Sequence, residues 1–455
     1  MLDLLTSLII PPLGYLQILI VSGLLNPPPP PRVAAYTKAE DVAYLNGRVY
    51  VGTFPGGTQV YDARSGALIS TIAGQLVGSD SRYVYTSALD RSAFVAQSVP
   101  EAGVLTAWDG NGRALWSHAN VEIPLPRLPT IPQLDMPADG ALRSDANNVY
   151  VIVSNSQTGT TAQNLVALDK ATGATHWSYG PAFGFALARG TLVAMVSDEF
   201  VGLSASDGQV LWRQRKAVYS EQIITDGQAF YLLDPDGARA LAAQTGARQW
   251  TVSYQWPATG TTPLLTDGDV TYLLTAAGAI VAVNTQNGRE RWRSPPDAAP
   301  TYNLIAAQQG VLYIARQGLT AVDGATGRTR WTSSQPTGSW VRLVGIAGGT
   351  VYFATWSGCS TTSATLCTRI FAVNQRTGAT LWTQETPLQS AGIAILGASI
   401  SVVSSQQTQR FAGRSLFYGP PMVACSDTTT ITTFAIVTGA VTWRQSTTHP
   451  CSGGL

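Results

Sequence analysis

Charge is what this sequence has least of. Asp, Glu, Lys and Arg together make 12% of 455 residues, about half the usual share, and they sum to a net charge of +1. So balanced a chain exerts no general pull on nucleic acid. It is not a disordered chain either, since apolar residues make up 45% of it. Histidine occurs three times, as His118, His176 and His449, far apart in sequence. The 27 acidic residues show no spacing that metal ligation would require, and His176 beside a Trp reads as a packing residue. Against 25 Arg there are 3 Lys; the densest basic group, Arg213, Arg215 and Lys216, reads as a solvated strand edge. No GxSxG and no phosphate-binding glycine loop is present, which removes the hydrolase elbow and the nucleotide cradle.

Cysteine is nearly as scarce. Cys359, Cys367, Cys425 and Cys451 all fall late in the chain and form no CxxC or CxxCH, so zinc, thioredoxin-like and haem readings fail. An even count in a charge-poor, Ser/Thr-rich chain predicts two disulfides and an oxidising, extracytoplasmic compartment. Three pairings are possible. Cys359–Cys367, bracketing one loop, and Cys425–Cys451, tying down the tail, are the expected ones.

What is present falls into three parts. Residues 1–26 carry one charge, Asp3, and Leu4 to Leu25 would be about 33 Å long as a helix, interrupted by Pro11-Pro12. This segment is expected to anchor the chain in a membrane or in a larger assembly. A secretory signal fits it poorly, because Lys or Arg ahead of the apolar run and a small-residue cleavage site are both missing. Residues 27–39 begin with Pro27 to Pro31, a stiff polyproline spacer of roughly 15 Å. Residues 40–455 are a repeat.

Its signature is Trp four residues after Gly, in NGRALW, TGATHW, SDGQVLW, TGARQW, NGRERW, TGRTRW, TGATLW and TGAVTW. These give Trp116, Trp177, Trp212, Trp250, Trp292, Trp331, Trp382 and Trp443; SGALIS at 65–70 is a ninth copy with Ser70 in the Trp position. Ahead of the Gly stands a strand with a small residue between apolar ones, often ending in Asp or Asn, as in VALD at Asp169 and VAVN at Asn284. That side chain can accept hydrogen bonds from turn amides while Gly supplies positive φ. A Tyr/Val strand precedes it, RVYVGT at 48–53 or NVYVIVS at 148–154, entered through a tight turn such as Asn46-Gly47 or Asp267-Gly268. Four short strands per unit, with glycines 35 to 61 residues apart, is the period of a propeller blade. The expected fold is therefore all-β, a β-propeller of eight or nine four-stranded blades, the Trp-less first copy being the candidate incomplete one. One Trp per unit suits the wedge between blades, and eight equivalent copies argue against a ligand-stacking role.

The AxDxxTGxxxW pattern over residues 40–445 resembles the quinoprotein-type (PQQ-like) β-propeller repeat family. For the family's dehydrogenases the resemblance implies a quinone on the axis, a calcium or lanthanide ion held by carboxylate and Asn oxygens, an Asp base and a disulfide between adjacent cysteines. This sequence has no adjacent Cys pair, and Asp169, Asp226, Asp267 and Asp323 fall in turns. The expectation is the family's non-catalytic scaffold branch, with no enzyme activity, no catalytic residue, no cofactor and no metal. That branch includes outer-membrane assembly lipoproteins; no lipid-bearing Cys follows the apolar run here, so only the scaffold role carries over. Insertions at 87–104, 120–138, the Cys359/Cys367 loop and 405–430 all fall in connections of one face, which is expected to dock protein partners in a membrane-associated or surface assembly. A PQQ-dependent dehydrogenase and a carbohydrate- or surface-binding adhesin module are the alternatives.

Overall fold

The computed structural model describes residues 42–53, 57–89, 102–122, 142–155, 162–216, 222–234, 237–255, 264–296, 303–315, 318–333, 340–358, 366–387, 390–396, 398–411 and 423–450. The apolar segment 1–26, the spacer 27–39 and most of each long insertion lie outside these residues. Among the described residues there are 36 strands, and no helix long and apolar enough to cross a membrane.

Local chemistry sets the turns. Asn46 (φ 50°) and Gly47 (φ 75°) form the mirror-image hairpin turn that suits twisted strands, and Arg189-Gly190 and Gln309-Gly310 repeat it without an Asn-Gly signal. At the other hairpin of the unit, Asp62 Oδ1 accepts the amides of Arg64 (3.1 Å) and Ser65 (2.8 Å). The same Asx turn recurs at Asp169, Asn284 and Asn374.

Each unit is a sheet of four sequential antiparallel strands, and there are nine, here blades 1 to 9: residues 42–72, 75–122, 143–179, 184–215, 222–253, 264–293, 303–332, 340–387 and 390–450. Blade 1 is a complete four-stranded sheet, so the Trp-less copy is not an incomplete one. Blades 2 and 3 are joined edge to edge where Val121 and Glu122 pair with Val153 and Ile152. At six of the nine seams the first strands of neighbouring blades touch, including those of blades 9 and 1, which places them innermost.

Each outer strand carries a β-bulge at the residue before the Trp position, as at Leu115 in blade 2 or Arg291 in blade 6. Opposite the Trp itself the third strand places Ala or Gly in blades 2 to 8, as at Ala107, Ala167, Gly202 or Ala240, and Thr433 in blade 9. The core is divided into nine buried clusters, one at each seam between neighbouring blades. The ninth joins Val49, Val51 and Tyr61 of blade 1 to Val403, Ile431 and Trp443 of blade 9. The ring is therefore closed, and without any strand exchanged between its first and last blades.

Candidate functional site

The eight signature tryptophans all do one thing. Each indole lies over the turn glycine of the next blade, and its Nε1 donates to the carbonyl three residues before that glycine at 2.6–3.2 Å. Trp116 thus bonds Lys170 of blade 3, and Trp443 reaches across the chain ends to Ala63 of blade 1. At Gly66 a Cβ would stand 2.5 Å from the Trp443 ring, and φ is +72°, so glycine is required there twice over. Tyr85, Tyr150, Tyr231, Tyr272, Tyr313 and Tyr352 each pack a ring against the Trp of their own blade, with centroids 5.9–6.3 Å apart.

One seam in nine lacks this lock. Ser70 stands where blade 1 should present Trp, and two other residues make up the volume. Val60, opposite Ser70, replaces the usual small residue and is fully buried. From the far side Trp108, in the position filled by Leu168 or Val283 in other blades, packs into the same cluster and donates Nε1 to Thr86 Oγ1 at 2.8 Å. Trp108 was not singled out by the repeat; its signal is a Trp directly before the turn Asp, in the copy that follows the Trp-less one.

Charge enters the core at the seam between blades 2 and 3. Lys170, 7% exposed, places Nζ 2.9 Å from Asp80 Oδ2 and donates to the Asp145 carbonyl at 2.6 Å. Asp80 also accepts from the Tyr85 hydroxyl and the amides of Arg82 and Tyr83. Burial raises its pKa, but the bonds from Lys170, Arg82 and Tyr85 outweigh that and hold the carboxyl below its ordinary value. In the exposed turns Asp62, Asp169 and Asp323 are likewise held low, by hydrogen bonds from Ser65, from Thr172, and from Arg330 and Thr326. His176 is not a packing residue: its Nδ1 meets Asn148 Oδ1 at 2.7 Å and its Nε2 lies 3.4 Å from Asp169, bracing the turn of blade 3.

The tyrosines shift the other way. Burial, reinforced by acceptors such as Asp80, Asp145 and Asp226, pushes Tyr85, Tyr150 and Tyr231 far above the ordinary phenol range. Tyr272 is pushed as far by burial, and Tyr50, Tyr61 and Tyr313 also rise. A raised folded pKa favours the neutral phenol, so the contribution is complete below about pH 10 and lost as pH climbs toward the folded values. Each such tyrosine removes ~1.4 kcal/mol per pH unit in that window. We expect absorbance at 295 nm to show these seven ionising together, in one cooperative step that coincides with unfolding above about pH 10. Individual ionisation in a ring that stays folded would contradict their burial.

Much of what reads as the 405–430 insertion is strand. In blade 9 the second and third strands, Ser399–Phe411 and Val423–Ala435, remain paired from Ser399↔Ala435 to Phe411↔Val423. The inner strand stops pairing at Ser404, so residues 405–411 continue about 23 Å beyond it on the long-loop side. The outer strand, Val441–Pro450, follows to Ser426↔Pro450. Thr-rich sequence with alternating ladders Thr428–Thr448 and Thr430–Ser446 supports strand here. Cys425 sits in this tongue opposite Gln409. Cys367 is 1% exposed, opposite Ser357 in blade 8, and is disulfide-bonded. Cys359, Cys451 and the side chain of Cys425 lie outside the described residues.

Arg213 and Arg215 are exposed, Arg213 pairing with Glu199, whereas the Lys216 ammonium turns inward to the Val196 carbonyl over the Phe200 ring. On the tight-turn side a cavity of about 730 Å³ opens between blades 5 and 6, with Ile224, Leu264 and Leu265 below and Arg189, Gln228 and Asp269 at its rim. Three carboxylates line it, and two are committed to structure: Asp226 accepts the Gln228 and Ala229 amides and the Tyr231 hydroxyl, Asp267 the Gly310 amide. On the axis a quinone and its metal would need several oxygen ligands. Among the described residues the inner strands offer one carboxylate, Asp267, and no three His, Cys, Asp or Glu converge anywhere. The described residues do not fit that cofactor.

Nine four-stranded blades closed on themselves, with a Trp lock at eight of the nine seams, define a PQQ-type β-propeller. The family model described as outer membrane protein assembly factor BamB matches residues 161–304 and 301–454, and the chain belongs to that family. Comparison with curated proteins finds no match. Among solved structures, BamB from Moraxella catarrhalis is 14% identical, with 82% of this chain and 96% of that one aligned at a TM-score of 0.42. The computationally designed Ika8 protein is 11% identical over 81% and 94% of the chains (TM-score 0.48). A europium-containing methanol dehydrogenase is 13% identical over 68% and 79% (TM-score 0.37). These likenesses are of fold.

Proposed function

We propose that this protein is a non-catalytic, extracytoplasmic scaffold that docks protein partners through the long-loop face of its propeller. The observation that carries the reading is the blade 9 tongue. Among the described residues its inner edge, residues 405–411, has no neighbouring strand and its outer strand is a sheet edge, so two rows of backbone donors and acceptors are open to an added strand. Among the tongue's described residues, Arg410, Asp427 and His449 are the only ionisable side chains besides Cys425, so backbone pairing rather than charge would govern the contact. The family's name, an outer membrane assembly factor, supports the compartment and the scaffold role. Two disulfides, Cys359–Cys367 and Cys425–Cys451, and attachment through residues 1–26 to a membrane or assembly complete the reading.

The test is photocrosslinking in the producing cells, with benzoylphenylalanine at Gln409 on the tongue or at Val437, which is 79% exposed on the tight-turn face. A discrete protein adduct from position 409 and none from 437 is expected; the reverse would sink the reading. Turnover of alcohols or sugars after addition of pyrroloquinoline quinone and Ca²⁺ would replace it with the dehydrogenase.

A further inference from the structure

The rim of the ring is unevenly charged. In blades 5, 6 and 7 the outer strands and the turns that feed them carry six arginines, Arg248, Arg289, Arg291, Arg293, Arg328 and Arg330, and two carboxylates, Glu290 and Asp323. On blades 9, 1 and 2 the same segments balance Arg444, Arg64 and Arg113 against Asp62, Asp109 and Glu122. The surplus on blades 5–7 alone exceeds the +1 of the whole chain.

All six arginines are exposed. Arg293 uses Glu290 (2.7 Å) and Arg330 uses Asp323 (2.7 Å), which consumes both carboxylates. Arg248, Arg289, Arg291 and Arg328 have no ion-pair partner among the described residues. Arg291 and Arg330 occupy the bulge positions of blades 6 and 7, where blades 8, 1 and 2 present Leu381, Ile69 and Leu115. A bulge re-aims its side chain, and at these two positions an exposed guanidinium group stands where other blades expose an aliphatic chain. Both lie near enough to the buried Tyr272 hydroxyl to oppose the rise in its pKa.

We infer that the rim of blades 5–7 is a docking strip for anionic phospholipid headgroups. The free cations are all arginine, whose planar fork matches phosphate oxygens in pairs. They lie on the convex edge of the ring rather than in a groove, which suits a plane better than a peptide. The one cavity described beside them is rimmed by Asp226, Asp267 and Asp269 and would repel an acidic chain. This strip is separate from the tongue, and the inference stands without the docking role proposed there.

Flotation of the full chain with vesicles tests it. Phosphatidylcholine alone measures charge-independent attachment, including whatever residues 1–26 contribute. Adding about 30% phosphatidylglycerol is expected to raise the bound fraction, and about 0.5 M NaCl to abolish the increment. R248Q/R289Q/R291Q/R328Q should cut the increment roughly tenfold or more, while R64Q/R113Q/R376Q leaves it unchanged; matched thermal melts show that both variants are folded. An equal increment in the two variants overturns the inference. So does its absence from the unmodified chain, and retention on an acidic protein in that case would make the partner a polypeptide.

Discussion

Replacing Trp443 with Ala should open the ring at blade 1. The truncation removes a side chain 8% exposed, its bond to the Ala63 carbonyl at 3.1 Å and its stack on Tyr61, 6.3 Å between centroids. Burial alone sets the cost at about 3–5 kcal/mol. Position makes it worse than the same change elsewhere. Blade 1 is held on its other side by the seam that lacks a Trp lock, and among the described residues its two seams are the smallest buried clusters, with 7 and 6 residues. Hydrogen exchange of Trp443→Ala should therefore show residues 42–72 losing protection ahead of the rest. Trp331→Ala, between two locked blades, should lose comparable stability without that local signature. Matching exchange patterns in the two variants would show that no seam is special.

Asp80→Ala is the second large effect. It strands the Lys170 ammonium, whose side chain is 9% exposed, with only a carbonyl for company. Removing one partner of a buried pair costs about 3–5 kcal/mol. Lys170→Met should cost less, on the order of 1–2 kcal/mol, because Asp80 keeps its bonds from Tyr85, Arg82 and Tyr83. The double variant should then be more stable than Asp80→Ala alone, since the unpaired charge is gone. Urea unfolding of the three variants measures this; a double variant as unstable as the sum of the singles would mean the pair is not coupled.

Most of the ring was legible because its signals are periodic. Gly, Trp and the turn Asp recur at fixed offsets, and each offset has one physical use: positive φ, a wedge for the seam, an acceptor for turn amides. Compensation was less legible. Ser70 suggested an incomplete blade, yet Val60 and Trp108 restore the seam from two different strands, and neither carries a mark that spacing alone reveals. The tongue was missed for a different reason. Its Ser, Thr and Gln residues lack the apolar alternation of a half-buried strand. The arginine strip hid in composition: six of the 25 Arg come together only when the outer strands of blades 5 to 7 become neighbours on the rim.

The central claim is a ring closed at the seam between its last and first blades. Arg64, Arg376 and Val437 occupy equivalent, exposed places in the turns of blades 1, 8 and 9. Spin labels at 64 and 437 span the closure, and labels at 376 and 437 span an ordinary neighbouring pair. Pulsed electron-electron resonance should return the same narrow distance for both pairs. A longer or broader distribution for 64 and 437 alone would mean that blade 1 does not meet blade 9 and that the ring is open.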